Sequence, residues 1–126
     1  MVTLTVSVGE LIDRYSILHI KSKKITDIDK LGKVENEKQA LLRLVSDYII
    51  NPVMGDLYQD LIGVNLQLWD IEDKLRDFER QGKFDEEFVS CARSVYILND
   101  QRHQLKTKIN LMTNSPNEVK QYTEYK

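Results

Sequence analysis

The stretch MGDLYQDLIGVNLQLWDIEDKLRDFERQGKFDEEFVSCARSVYILNDQRHQLKTKINLM, residues 54–112, decides the fold. In its first half, Met54, Leu57, Leu61, Val64, Leu68, Ile71, Leu75 and Phe78 recur at steps of three and four. In its second half, Phe88, Cys91, Val95, Leu98, Arg102, Leu105, Ile109 and Met112 repeat the rhythm. That spacing places each set on one face of an α-helix. Gln81-Gly82 supplies a C-terminal stop and Asp85 an N-cap, with Glu86 and Glu87 suited to the positive end of the next helix. The link between is too short for anything but an antiparallel helical hairpin. Helices are predicted over 54–81 and 85–113.

Working towards the N-terminus, Asn51-Pro52 closes a preceding helix over 27–50, which carries Ile28, Leu31, Val34, Leu41, Leu42, Val45 and Ile49 and is opened by Thr26-Asp27-Ile28-Asp29. Before it, Ser7-Val8-Gly9-Glu10 reads as a capping box for a helix over 8–25 with Leu11, Tyr15, Leu18, Ser22 and Ile25 on one stripe, widened by Ile12 and Ile17. The first eight residues alternate: Val2, Leu4, Val6 and Val8 against Thr3, Thr5 and Ser7. This predicts a short N-terminal β-strand, whose partner is either Glu118–Tyr125 or a second copy of the chain. Residues 115–126 form a tail. The expected fold is therefore all-α: a single domain, residues 1–126, forming an antiparallel bundle on a long hairpin.

Composition narrows the function classes. With 41% hydrophobic and 30% charged residues, the chain has a globular rather than a disordered balance. Eighteen basic residues against twenty acidic ones argue against bulk nucleic-acid binding. No apolar run approaches the roughly 20 residues that cross a bilayer. The start MVTLTVSVGE lacks the pattern of a secretory signal, so a cytoplasmic location is expected, in a bacterial cell or a phage-infected host. One cysteine, Cys91, excludes an internal disulfide and reads as an inert core thiol. His19 and His103 read as structural, and no glycine-rich phosphate loop is present. Asp70, Asp73 and Asp77 could in principle hold magnesium as in all-α nucleotide pyrophosphatases, but no second helix offers a matching acidic pair, so no metal and no cofactor is expected.

Arg102 is the most informative residue, because it occupies a seam position where leucine is expected. It either snorkels or pairs with a buried carboxylate, for which Glu10 and Asp13 on the first helix are the candidates. A polar stripe runs beside each seam: Glu10, Asp13, Arg14 and Lys21 on the first helix, Asn65, Trp69, Asp73 and Arg76 on the third, Asn99, His103, Lys106 and Asn110 on the fourth. If the first helix crosses the hairpin, Glu10, Asp13, Arg14, Lys21, Trp69, Asp73, Arg76, Asn99, Arg102 and Lys106 can converge on a cleft suited to a carboxylated or phosphorylated small molecule. The bland alternative is that these are solvated faces and inter-helix ion pairs. Lys21, Lys23 and Lys24 lie where the helix dipole favours cations and need no ligand.

The stretches VSVGELIDRYSILHIKSKKI, LWDIEDKLRDFERQGKF and FVSCARSVYILNDQRHQLKTKIN resemble a family of small uncharacterised helical proteins of bacteria and tailed phages, a domain of unknown function often near glycan-assembly genes. The resemblance runs from Val6 to about Tyr122 and rests on Ser7-Val8-Gly9-Glu10-Leu11, Leu68–Asp73, and Asn99-Asp100 with Arg102, Lys106 and Asn110. It implies that these polar positions form one site and brings no activity with it. A looser similarity of shape links Glu10-Leu11-Ile12-Asp13-Arg14 to the first helix of all-helical chorismate mutases, whose second-helix arginine pattern is missing here. The expected function is a helical interaction module that forms a homo-oligomer or binds a protein partner, leaning away from catalysis. The alternatives are a bundle that binds or transforms a small anionic ligand, and a phage-encoded modulator of a host protein.

Overall fold

A computed structural model describes residues 1–116 and contains four helices: α1 Val8–Lys24, α2 Ile28–Ile49, α3 Pro52–Gln81 and α4 Glu86–Thr113. Each starts where its cap dictates. Ser7 Oγ accepts from the Glu10 amide, Asp27 from Lys30 and Asp85 from Phe88. Asn51 accepts from the amides of Val53 and Met54, with Pro52 in the first turn. The proline expected only to end α2 thus also opens α3 two residues early, because its missing N–H costs nothing at a helix start. Gly82, at φ 64°, turns the chain after α3, and the Lys83 amide returns to the Phe78 carbonyl. Asn114 adopts the same left-handed conformation after α4, at φ 55°.

The expected N-terminal strand is not formed. Among the described residues there is no strand, and residues 1–7 carry no regular structure, with Val2 and Leu4 almost fully exposed. Alternation is a local pattern, whereas a strand requires a hydrogen-bonded neighbour, and no described segment supplies one. The proposed partner Glu118–Tyr125 lies outside the described residues.

Helix α1 is the hub. It packs against all three other helices, α3 packs on α4 along the hairpin, and α2 meets only α1 and α3. The main core gathers Ile12 and Tyr15 of α1, Val45 of α2, Met54, Leu57, Tyr58 and Leu61 of α3, and Ile109 of α4. Because α1 is surrounded, the stripe predicted for it is too narrow: Gly9, Asp13, Ser16 and Ile20 are buried as well. α1 runs parallel to α3, from the Asp13–Asn65 contact to the Lys24–Asp70 ion pair, and antiparallel to α4.

Lengths decide what α1 can cover. Its 17 residues span about 25 Å, whereas the 30 residues of α3 span about 45 Å. The end of the hairpin around Gly82 therefore consists of two helices only. There Phe78 and Leu98 are buried, while Leu75, Phe88, Cys91 and Val95 remain half-exposed, so Cys91 is not the enclosed core thiol expected. No helix among the described residues is long and apolar enough to cross a membrane.

Two outcomes follow from this packing. A Cβ on Gly9 would stand 2.6 Å from the Lys106 carbonyl oxygen and 2.7 Å from Asn110 Oδ1. Gly9→Ala should therefore lower stability by about 1–3 kcal/mol in urea unfolding, despite alanine's better helix propensity. Burial, with a smaller contribution from Tyr15, pushes the Tyr58 hydroxyl from its ordinary value near 10 up to about 12. The unfolded chain then loses that proton first, so the contribution is present below pH 10 and is lost as pH rises from 10 towards 12. Tyr58→Phe should flatten the stability curve across that alkaline window, measured by denaturant midpoints.

Candidate functional site

The polar face of α1 is buried against the hairpin. Asp13 is only 1% exposed. Arg102 donates to it from Nε, at 3.0 Å to Oδ1 and 3.1 Å to Oδ2, and from Nη2 at 2.5 Å to Oδ2. Asn65 Nδ2 donates to Asp13 Oδ1 at 2.9 Å and to Ser16 Oγ at 2.8 Å, while the Ser16 hydroxyl donates to the Asp13 carbonyl. A buried carboxylate is tolerated only with such compensation. One helical turn earlier, Lys106 Nζ donates to Glu10 Oε2 at 2.7 Å and lies 4.0 Å from Asp13. The Gly9 amide donates to Asn110 Oδ1 at 2.7 Å, and the Val8 amide to Ser115 Oγ. Lys106 and Asn110, both read as a polar stripe beside α4's seam, are thus more deeply buried than the seam residue Met112, because α1 lies over them.

Next to this network, where α1 ends on the hairpin, an open cleft of about 290 Å³ is lined by Asn65, Trp69, Asp73, Arg76 and Arg102. Its apolar wall comes from Ile17, Ile20 and Leu68, and Glu72 adds a second carboxylate. Of the residues selected from sequence, Trp69, Asp73, Arg76 and Arg102 therefore share one cavity. Glu10, Asp13 and Lys106 join the ion network behind Arg102 instead. Arg14 is exposed and reaches only Glu10, at 3.5 Å. Lys21 and Asn99 are half-buried and line no part of the cleft. Ser16, Ile20 and Glu72 were not among the candidate site residues and Ile17 was read only as part of α1's apolar stripe, since their roles depend on where α1 crosses α3.

Among the described residues no cluster of histidine, cysteine, aspartate and glutamate could hold a metal ion. His19 is held below its ordinary value, first by desolvation and then by Lys23 and Lys38.

Comparison with protein families places the chain firmly: residues 2–124 match a family of unknown function, DUF6165, and the protein belongs to it. No curated protein and no solved structure matches.

The ion network makes a direct prediction. Arg102→Leu leaves Asp13 buried beside only Asn65 and a more distant Lys106 and should cost about 3–5 kcal/mol. Asp13→Leu combined with Arg102→Leu should recover much of that loss, since the pair is removed together. A double-mutant cycle in urea measures the coupling, and a coupling below about 0.5 kcal/mol would show that the pair is not a unit.

Proposed function

We propose that the protein is a helical interaction module that works as a homo-oligomer through the outer end of its hairpin. The observation that carries this reading is the half-covered hairpin. Beyond the reach of α1 two helices must bury a seam that needs more neighbours, and Val89 and Ile97 of α4, with Phe84 of the link before it, are exposed on the adjoining face. Exposed apolar surface grouped in this way favours association.

The chemistry of that face favours a second copy as the occupant. Phe84 and Ile97 stand at its two ends, the small Ser90 and Ser94 lie between, and Asp85, Glu86 and Arg93 flank it. An antiparallel α4–α4 pairing with Phe84 level with Ile97 of a second copy brings Arg93 within about one turn of that copy's Asp85 and Glu86. Both ends of the pairing gain the same apolar and ionic contacts, and two hairpins become a four-helix arrangement.

Size-exclusion chromatography with light scattering at micromolar concentration should give a dimer. Val89→Glu with Ile97→Glu should give a monomer with retained helicity by circular dichroism. A strict monomer for the unaltered chain at those concentrations would sink the reading.

A further inference from the structure

An anion was expected in a cleft that gathered Arg14, Lys21, Arg76, Arg102 and Lys106, of which only Arg76 and Arg102 line the cleft at the end of α1. The charge arrangement argues otherwise. Arg102 is committed through both Nε and Nη2 to Asp13, and Lys106, next along α4, is committed to Glu10. At the back of the cleft the Arg102 guanidinium is thus matched by the Asp13 carboxylate. On the cleft's own lining, with Arg102 held by Asp13, the carboxylates of Glu72 and Asp73 stand against the guanidinium of Arg76. Of the lysines in α1's last turn none lines the cleft, and Lys24 pairs with Asp70 at 3.1 Å.

We propose that this cleft binds a compact organic cation, an amine or guanidinium with a short apolar body. Trp69 lines the cleft and is the ring type that such cations prefer, and the described lysines that lie over a ring lie over Phe78 instead, at 5.1 Å and 5.9 Å. Ile17, Ile20 and Leu68 receive the apolar body. The carboxylates of Glu72 and Asp73 accept from the ammonium or guanidinium head. A metal ion fits poorly, because the lining has only two carboxylates and, among the described residues, no group of three or more histidine, cysteine, aspartate or glutamate side chains could hold one. The cleft volume of about 290 Å³ sets the size, at the low end of small-molecule sites. The site lies within one chain and needs no second copy.

Trp69 is the chain's one tryptophan, so its fluorescence reports on this cleft alone. The full-length protein is titrated at fixed ionic strength with n-butylguanidinium, and in parallel with pentanoate. Butylguanidinium should give a saturable change with a Kd on the order of millimolar, as expected for so small a ligand, and pentanoate none. Glu72→Gln with Asp73→Asn should weaken binding about ten-fold or more, and Arg76→Gln should strengthen it a few-fold. A blocked Gly-Arg-Gly peptide that binds more tightly than butylguanidinium assigns the cation to a partner protein's side chain; equal or weaker binding assigns it to a free small molecule. The proposal is overturned if pentanoate saturates instead, if neither probe saturates, or if binding ignores both carboxylate replacements while the Arg76 variant binds no better.

Discussion

The buried carboxylate of Asp13 is the constraint on which the arrangement of the helices turns. At 1% exposure it cannot be left without partners, and its partners come from two other helices: Arg102 from α4 and Asn65 from α3. Meeting both at once fixes how far α1 slides along the hairpin and which face it turns inward. The Gly9 amide bond to Asn110 then sets how closely the helices approach, since only a residue without a side chain fits there. The apolar core formed by Ile12, Tyr15, Leu61 and Ile109 supplies the driving force, and the ion network selects the register in which it is buried.

The same register explains why the molecule has two unlike ends. Where α1 lies across α3 and α4, Glu10, Asp13, Asn65, Arg102 and Lys106 are paired and Ile12, Tyr15, Leu61 and Ile109 are enclosed. Where α1 stops, near Lys24 and Asp70, the hairpin runs on with its seam half-covered. The cleft with Trp69 sits at this boundary, because a third helix ending on two longer ones leaves a concave corner. The cleft and the half-covered outer end are thus two consequences of one mismatch in helix length.

Much of the site was legible in the sequence. Arg102 on an apolar seam called for a carboxylate on the first helix, and Asp13 is that carboxylate. Trp69, Asp73 and Arg76 share a cavity with Arg102, as their spacing along α3 allowed. Arg14, Lys21 and Asn99 do not, since helical periodicity says which residues share a face but not which neighbour that face meets. The sign of the proposed ligand changed for a similar reason: Arg14 and Lys21, two of the cations expected in the cleft, do not line it. The N-terminal alternation from Val2 to Val8 misled because a strand is a property of a pair of segments.

The sequence by itself determined the four helices, their caps and the antiparallel hairpin, because hydrophobic spacing, N-cap side chains and the left-handed Gly82 act within a few residues of one another. Only the tertiary structure decided that α1 is the hub, that Lys106 and Asn110 are interior, and that Glu72 and Trp69 face the same cleft. Those outcomes depend on contacts between residues 50 to 100 positions apart, whose geometry is set by compensating one buried charge and fitting one close helix crossing.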